Sequence, residues 1–296
     1  MPNNFLTPNT IAKEALMVLR NNAVMANLVH RDYSDDFVGA VGDTITIRKP
    51  ATFEADEFSG TIKVQDATEG SVDVKLDKLL DVSFAVTSRQ LTLDIADFSE
   101  QLLVPAMQAF ANKIDKYLLA LEAELTGRVP HASGVIAPAD MLAARKILNE
   151  NAAPLANRRF VVGSTAEAEL LSHELFTAAS QVGDQGTALR EASLGRKYGM
   201  DIYLDQNISQ VSGTAPYIPA IAFHKNAFAL VTRPLALPKG AKDASIVNYD
   251  GFGLRVVYGY DITTKTDTVS IDLLCGVKLL DDKLASVVVD TRAITA

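Results

Sequence analysis

The sequence has a single cysteine and no apolar run long enough to cross a membrane. Cys275 has no partner within the chain, which excludes the disulfide framework that is typical of small secreted domains. The longest apolar run, from Ala215 to Phe223 with its two prolines, is nine residues, about half of the ~20 that a spanning helix needs. Residues 1–10, MPNNFLTPNT, lack the basic and apolar stretches of a secretory leader. We therefore expect no membrane span and a reducing compartment.

Basic residues are also scarce relative to acidic ones. Lys and Arg number 28 against 36 Asp and Glu, a formal net charge of -8. Domains whose main task is gripping nucleic-acid phosphates are usually strongly basic, so this function class is disfavoured. The 48% hydrophobic content excludes disorder as the main state. The chain is predicted to be a folded protein that tolerates DNA nearby without binding its sequence.

Polar and apolar residues alternate along residues 71–87, SVDVKLDKLLDVSFAVT, which is the period-two pattern of a half-buried strand. Residues 44–49 alternate in the same way and residues 61–64 more briefly, so the three segments predict a long antiparallel ribbon. Lys78 and Leu79 break the alternation, and we expect a bulge or bend there. A thin two-stranded ribbon could not bury Phe53 and Phe58, so another surface is expected to cover them.

A long amphipathic helix is predicted from Asp97 to Thr126, a stretch of 30 residues or about 45 Å. Asp97 and Glu100 resemble a capping box at its start. Pro105 lies inside the pattern and removes one backbone hydrogen bond, so a kink is expected at that point. The apolar stripe at helical spacing consists of Phe98, Leu102, Ala106, Phe110, Ile114, Leu118, Leu121 and Leu125.

The remaining stretches predict a helical N-terminal arm over residues 9–28 and a compact α/β module over residues 137–204. Residues 246–289 are mainly strand. Within them, alternation over residues 254–262, a turn near residues 264–267 and alternation over residues 269–279 predict a second long hairpin.

Motifs for catalysis are absent or incomplete. His173-Glu174 lacks the second histidine one helical turn later, where Thr177 stands, so a zinc site is not predicted. Gly251 and Gly253 lack the third glycine and the following helix of a dinucleotide site. Cys275 falls in the apolar phase of its strand and is interpreted as a buried small hydrophobe. The sequence therefore predicts no enzyme, with no catalytic, cofactor or metal site.

The order of these elements resembles the major capsid proteins of tailed phages with the Hong Kong 97-type fold. Four separated segments carry a closer resemblance to the coat proteins of short-tailed, Salmonella-type phages. They are VGDTITIRKPATF (41–53), SFAVTSRQLTLDIADFSEQLLVPAMQAFANKIDKYL (83–118), AFHKNAFALVTRPL (222–235) and GLRVVYGYDITTKTDTVSIDLLCGVKLLDDKLA (253–285). The fold class that this resemblance implies is α+β, with an N-arm, an extended loop, a spine helix, an axial domain and a peripheral domain.

The resemblance also implies a division of the chain. The expected segments are an N-terminal arm (1–40), an extended β-hairpin loop (41–87), a spine helix belonging to the peripheral domain (88–132), an axial domain (133–234) and the β-rich remainder of the peripheral domain (235–296).

The function that the resemblance implies is assembly of many copies into hexamers and pentamers of an icosahedral virion shell around double-stranded DNA. Scaffolding and portal proteins, and a decoration protein, are the partners expected during assembly in the host cytoplasm; no cofactor and no membrane are expected. A cellular nanocompartment of the encapsulin type, enclosing an enzyme cargo, is the alternative on the same fold. A soluble α/β enzyme built on residues 137–204 is a third hypothesis.

Five residues are candidates for assembly. Phe53 and Phe58 are the expected contacts between subunits, with Arg48 and Glu57 as charges at the rim, because the loop that carries them would lie over a neighbouring subunit. The alternative, that these side chains pack on their own subunit, stays open. Pro105 marks the expected kink of the spine helix.

Overall fold

The computed structural model describes residues 13–15, 17, 19, 23–31, 44–49, 57, 60, 70–87, 103–131, 136–174, 194–208, 210–211, 218–238, 240, 243–249 and 252–290. Residues 13–15, 17 and 19 are helical, followed by the short helix α1 (Met25–Leu28). The long helix is α2 (Val104–Leu119), continued by a 3₁₀ turn over Ala120–Glu124. Helices α3 (Pro138–Glu150) and α4 (Ser164–Ser172) follow.

One five-stranded sheet is built around a single long strand. Its members are β3 (Lys78–Thr87), β9 (Phe228–Arg233), β10 (Asp243–Tyr249), β11 (Phe252–Asp261) and β12 (Thr266–Leu279). β12 pairs antiparallel with β3 on one side and with β11, then β9, on the other, since Leu274 and Cys275 have partners in both β3 and β9. β10 extends the sheet beyond β11. The predicted hairpin is confirmed as β11 and β12, whose register places Asp261 opposite Thr266.

The other large sheet is mixed. Its strand order is β4 (Arg128–His131), β13 (Ala285–Asp290), β8 (Ile218–His224), β5 (Arg158–Val162), β7 (Met200–Leu204) and β6 (Arg196–Lys197). The β13–β4 and β5–β7 pairs are parallel and the other pairs antiparallel. Helix α3 packs Met141, Ala144 and Leu148 against this sheet. The α/β module predicted over residues 137–204 is therefore present, and it is completed by strands from later in the chain.

One strand of the ribbon ends earlier than the sequence predicts. β1 (Thr44–Lys49) pairs antiparallel with β2 (Gly70–Lys75), as expected. Strand pairing then stops at Leu76 and Asp77, and the next strand, β3, pairs with β12 along all of its ten residues. The prediction of one continuous ribbon strand over residues 71–87 was thus wrong. The break predicted near Lys78 is the point where the pairing partner of the chain changes from β1 to β12, and not a bulge within one ribbon.

Helix α2 confirms the predicted apolar stripe where the structure describes it. Ala106, Phe110, Ile114 and Leu118 are buried, as are two residues of and after the 3₁₀ turn, Leu121 and Leu125. The α-helix ends at Leu119 and not at Thr126. Residues 91–102, with the predicted capping box, lie outside the described part of the chain.

A single apolar core joins helix α2 to both large sheets. It includes Phe110 and Ile114 of the helix, Leu254 and Ile271 of the five-stranded sheet, and Phe223 of the mixed sheet. Burying an aliphatic or aromatic side chain contributes about 1.5–3 kcal/mol, so the buried side chains of helix α2 help to hold the two sheets together.

Two strand pairings bear on the predicted domain boundaries. β9, within residues 133–234, pairs in the five-stranded sheet with β12, whereas β13, within residues 235–296, pairs in the mixed sheet with β4 and β8. The division at residue 234 stays a prediction.

Candidate assembly site

The ribbon stands on the five-stranded sheet through a small apolar cluster, which we call the ribbon root. Its buried members are Ile47, Val74, Leu76, Ala229, Val231 and Leu280, with Val72 and Leu274 packed against them. The alternation of β2 places Val72 and Val74 on one face, and this face meets the face of β9 that carries Ala229 and Val231. Part of the ribbon's apolar surface is therefore covered within its own subunit.

Gly276 of β12 makes this close approach possible. A Cβ atom built at Gly276 would lie 2.2 Å from the carbonyl oxygen and 2.9 Å from the carbonyl carbon of Lys75. These distances are far below van der Waals contact, and the atoms belong to backbone, which moves only with its strand. The end of β2 thus rests on a site where β12 has no side chain.

None of the predicted interface residues belongs to the ribbon root, and the structure describes only some of them. Arg48 belongs to β1, where it pairs with Ser71. Glu57 is exposed. Phe53 and Phe58 lie outside the described residues. Their role between subunits stays a prediction.

Pro105 lies in the first turn of helix α2 and is exposed. The missing backbone donor of proline costs little in a first turn, where the N–H groups have no partner within the helix. Leu103 nevertheless has helical dihedral angles, φ -73° and ψ -44°. The kink needs helical residues farther upstream, which lie outside the described residues, and it stays a prediction.

A segment near the N-terminus, residues 23–31, is fixed to three elements at once. Asp115 of helix α2 accepts hydrogen bonds from the backbone N–H groups of Val24 (2.8 Å) and Ala26 (2.9 Å). The guanidinium of Arg159 donates to the carbonyl of Leu28. His30 forms a backbone bridge to β9, donating to Phe228 and accepting from Leu230. We call residues 23–31 the clamp segment, because it ties the helix, the mixed sheet and the five-stranded sheet together.

Asp115 is buried, and its electrostatics differ from those of a surface carboxylate. Burial raises the pKa of Asp115 to about 7, opposed by the hydrogen bonds from Val24 and Ala26 and assisted by the negative charge of Asp205. Asp205, just after β7, is also buried, and burial raises its pKa as well. The carboxyl group that holds the clamp segment is thus repelled by a second buried carboxyl group.

A second buried charge, Arg158, organises the mixed sheet. Its guanidinium donates to Asn149 Oδ1 (2.6 Å) and to the carbonyls of Ala153 (2.6 Å) and Pro154 (2.8 Å). Burial lowers the pKa of Arg158, with a smaller effect from Arg145. These bonds hold the loop after helix α3 against the start of β5.

Catalytic groups do not converge in the described part of the chain. There, no three His, Cys, Asp or Glu side chains lie close enough to hold a metal ion. Cys275 is buried as expected, and burial raises its pKa to about 12, which keeps the thiol protonated and unreactive. None of the described helices is both long enough and apolar enough to cross a lipid bilayer.

Sequence reasoning missed Asp115, Asp205, Arg158 and Gly276. Asp115 could have been noticed, because it directly follows Ile114 in the apolar stripe of the helix. The other three gave no signal, since their roles depend on partners brought together by the fold.

Comparison with solved structures shows what the whole arrangement is similar to. A structure from Mycobacterium phage Che8 matches with a TM-score of 0.67 and 19% identity, covering 92% of each chain. A capsid structure of Cyanophage P-SCSP1u matches with a TM-score of 0.61 and 13% identity over 86% of this chain and 85% of that one. The asymmetric unit of the bacteriophage PhiM1 mature capsid matches with a TM-score of 0.60 and 12% identity over 85% and 83%.

A virus-like particle from Pyrococcus furiosus is also similar, with a TM-score of 0.53 and 13% identity over 94% of this chain and 97% of that chain. No family model and no curated protein matches the sequence. The identities are low, but the coverage extends over most of each chain. The predicted α+β fold of the Hong Kong 97 type is thereby confirmed.

Proposed function

We propose that this chain is a major capsid protein whose copies assemble into the pentamers and hexamers of an icosahedral shell around double-stranded DNA. The observation that carries the proposal is the similarity of fold over more than four-fifths of the chain to capsid structures of two phages. The protein acts by self-association and not by catalysis. Its site of action is the virion, after assembly in the host cytoplasm.

The shape of the subunit supports this proposal. The ribbon leaves the five-stranded sheet at Leu76 and Asp77, and among its described residues those of the root pack on their own subunit. Two-stranded ribbons are at best marginally stable alone in water. A neighbouring subunit that covers the distal part of the ribbon would supply the missing contacts.

Within that neighbour contact, Phe53 and Phe58 are proposed as apolar anchors, with Arg48 and Glu57 at the rim. Interfaces of this kind place aromatic residues in the centre and charges at the edge. The exposure of Glu57 agrees with a rim position. Residues 133–234 are proposed to surround the capsomer axis, and residues 88–132 and 235–296 to form the peripheral domain.

The partners proposed are other copies of the chain, a scaffolding protein, a portal and a decoration protein. The finer resemblance, to short-tailed Salmonella-type phages, rests on the four sequence segments given above. The net charge of -8 supports a wall that DNA can slide past during packaging.

Electron microscopy of the purified chain, alone and with co-expressed scaffold, tests the proposal. We expect closed shells, tubes or separate capsomers. A monomer at every concentration, with and without scaffold, would contradict it.

A cellular nanocompartment is the second candidate, favoured by the similarity to the virus-like particle from Pyrococcus furiosus. Particles purified from the native source separate the two functions. Double-stranded DNA inside supports the virion, and a protein cargo without genome-length DNA supports the compartment.

A further inference from the structure

Two buried acidic side chains, Asp115 beneath the clamp segment and Asp205 just after β7, repel each other electrostatically, and their hydrogen bonding is unequal. Both oxygens of Asp115 accept a backbone N–H, from Val24 and from Ala26. Asp205 accepts from Asn207 through Oδ1 only, at 2.8 Å from the backbone nitrogen and 3.0 Å from Nδ2. Its Oδ2 is buried and has no hydrogen-bond partner among the described residues. Side chains of both Asp115 and Asp205 are fully buried.

No described cation compensates this pair. Among the described residues, the charged group that raises the pKa of Asp115 is Asp205. Residues 23–29 carry no charged side chain, and the guanidinium of Arg31, at the end of the clamp segment, lies 4.9 Å over the ring of Phe252. Lys113 and Lys116, the nearest charges on helix α2 itself, are exposed. Arg159 reaches the clamp segment at Leu28 and not at Asp115. A buried carboxylate without a cation is stable only when it is protonated or richly hydrogen-bonded.

We propose that proton binding by the Asp115–Asp205 pair controls how firmly residues 23–28 are held against helix α2. When the pair carries one or two protons, at most one buried negative charge remains and Asp115 still offers an oxygen acceptor to the Val24 and Ala26 amides. When both carboxyls are ionised, two buried charges repel each other, and release of the segment lets water reach them.

The direction of the effect follows from linkage. Burial under the segment raises the pKa of Asp115 from 3.8 to about 7, so the docked state binds more protons than the released state between these values. Docking of the segment is therefore firmest at acidic pH and weakens as pH rises through this window. Above about 7 the contribution of proton binding to docking is lost completely. The shift corresponds to a change in the docking equilibrium of at most about a thousand-fold.

Hydrogen exchange of the full-length chain, followed at individual amides from pH 5 to 9 and corrected for the intrinsic exchange rate, tests the proposal. We expect the protection of Val24 and Ala26 to fall from pH 5 to about 7 and to stay level above that, while the protection of Val161 in the centre of the mixed sheet is unchanged. Equal pH dependence at Val161 would indicate global unfolding and overturn the proposal.

Two variants separate this role from a purely structural one. Asp115→Asn removes the titrating group, so the protection of Val24 and Ala26 should be lower but independent of pH. Asp205→Asn keeps an oxygen acceptor for Asn207 and removes the repulsion, so the transition should persist with its midpoint at lower pH. Should Asp115→Asn not fold, Asp205→Asn decides alone, and an unchanged midpoint there would refute the coupling. The inference is independent of the function proposed above, since it concerns one subunit.

Discussion

Replacing Gly276 by alanine should destabilise the subunit by detaching the ribbon root. The new Cβ would lie 2.2 Å from the Lys75 carbonyl oxygen, whereas an ordinary van der Waals contact needs 3.4 Å or more, so β2 or β12 must move by roughly 1 Å. Overpacking of this kind typically costs about 1–3 kcal/mol. Here the upper end is expected, because the opposing atoms are backbone and no rotamer change relieves the clash.

Detachment of the ribbon root adds a second contribution to the loss of stability. If β2 lifts away from β9, Ile47, Val74 and Leu76 lose part of their burial, and each fully exposed side chain would lose about 1.5–3 kcal/mol. The loss in free energy of unfolding is limited, because the ribbon can detach locally while the five-stranded sheet stays folded. We therefore expect a decrease of about 3 kcal/mol in the free energy of unfolding, together with faster hydrogen exchange in β1 and β2.

Urea denaturation of the dispersed subunit measures this change, and Gly259→Ala is the matched control. Gly259 lies in β11 of the same sheet, and a Cβ there meets nothing within 4 Å. Its replacement should be neutral or stabilising by less than about 1 kcal/mol. The reasoning is refuted if Gly276→Ala is as stable as Gly259→Ala, or if it loses stability while exchange in the ribbon stays unchanged.

Three further predictions concern assembly and the mixed sheet. Phe53→Asp should abolish or weaken assembly while circular dichroism of the subunit is retained; loss of folded signal with assembly intact would contradict the interface role. Pro105→Ala should straighten the spine helix and alter shell shape or maturation, so shells of unchanged diameter and expansion would argue against a functional kink. Arg158→Met should lower the free energy of unfolding by about 1–3 kcal/mol, since three acceptors lose their donor and one of them, the Ala153 carbonyl, is buried. The exposed Arg196→Met is its control and should change this free energy by less than about 0.5 kcal/mol, so equal losses would refute the argument.

Local sequence patterns predicted where the helices and strands lie better than they predicted which strands pair with each other. The stripe of helix α2 and the β11–β12 hairpin follow from periodicity and a short turn, because both depend on residues close in sequence. The pairing of β3 with β12 joins Ser83 to Ser270, and a period-two pattern states which face is buried but not which strand lies alongside. One strand of the ribbon was therefore predicted too long.

The candidate site was predictable only in outline. An uncovered ribbon with aromatic residues follows from alternation and composition, and it led to Phe53 and Phe58. Gly276 is informative only once Lys75 is known to lie above it. Asp115 and Asp205 are 90 positions apart, so their electrostatic coupling follows from tertiary structure alone.

The change of partner at Leu76 and Asp77 has a mechanical consequence. Tension applied to β2 by a neighbour enters β3 at Lys78, the residue opposite Cys275, and β3 is held to β12 by ten consecutive residue pairs. A pull along the strand axis loads these pairs in shear, so they must fail together, whereas a pull perpendicular to the sheet would peel them one at a time. In the proposed shell, the resistance of this joint to internal pressure would therefore depend on the angle at which each ribbon leaves its subunit.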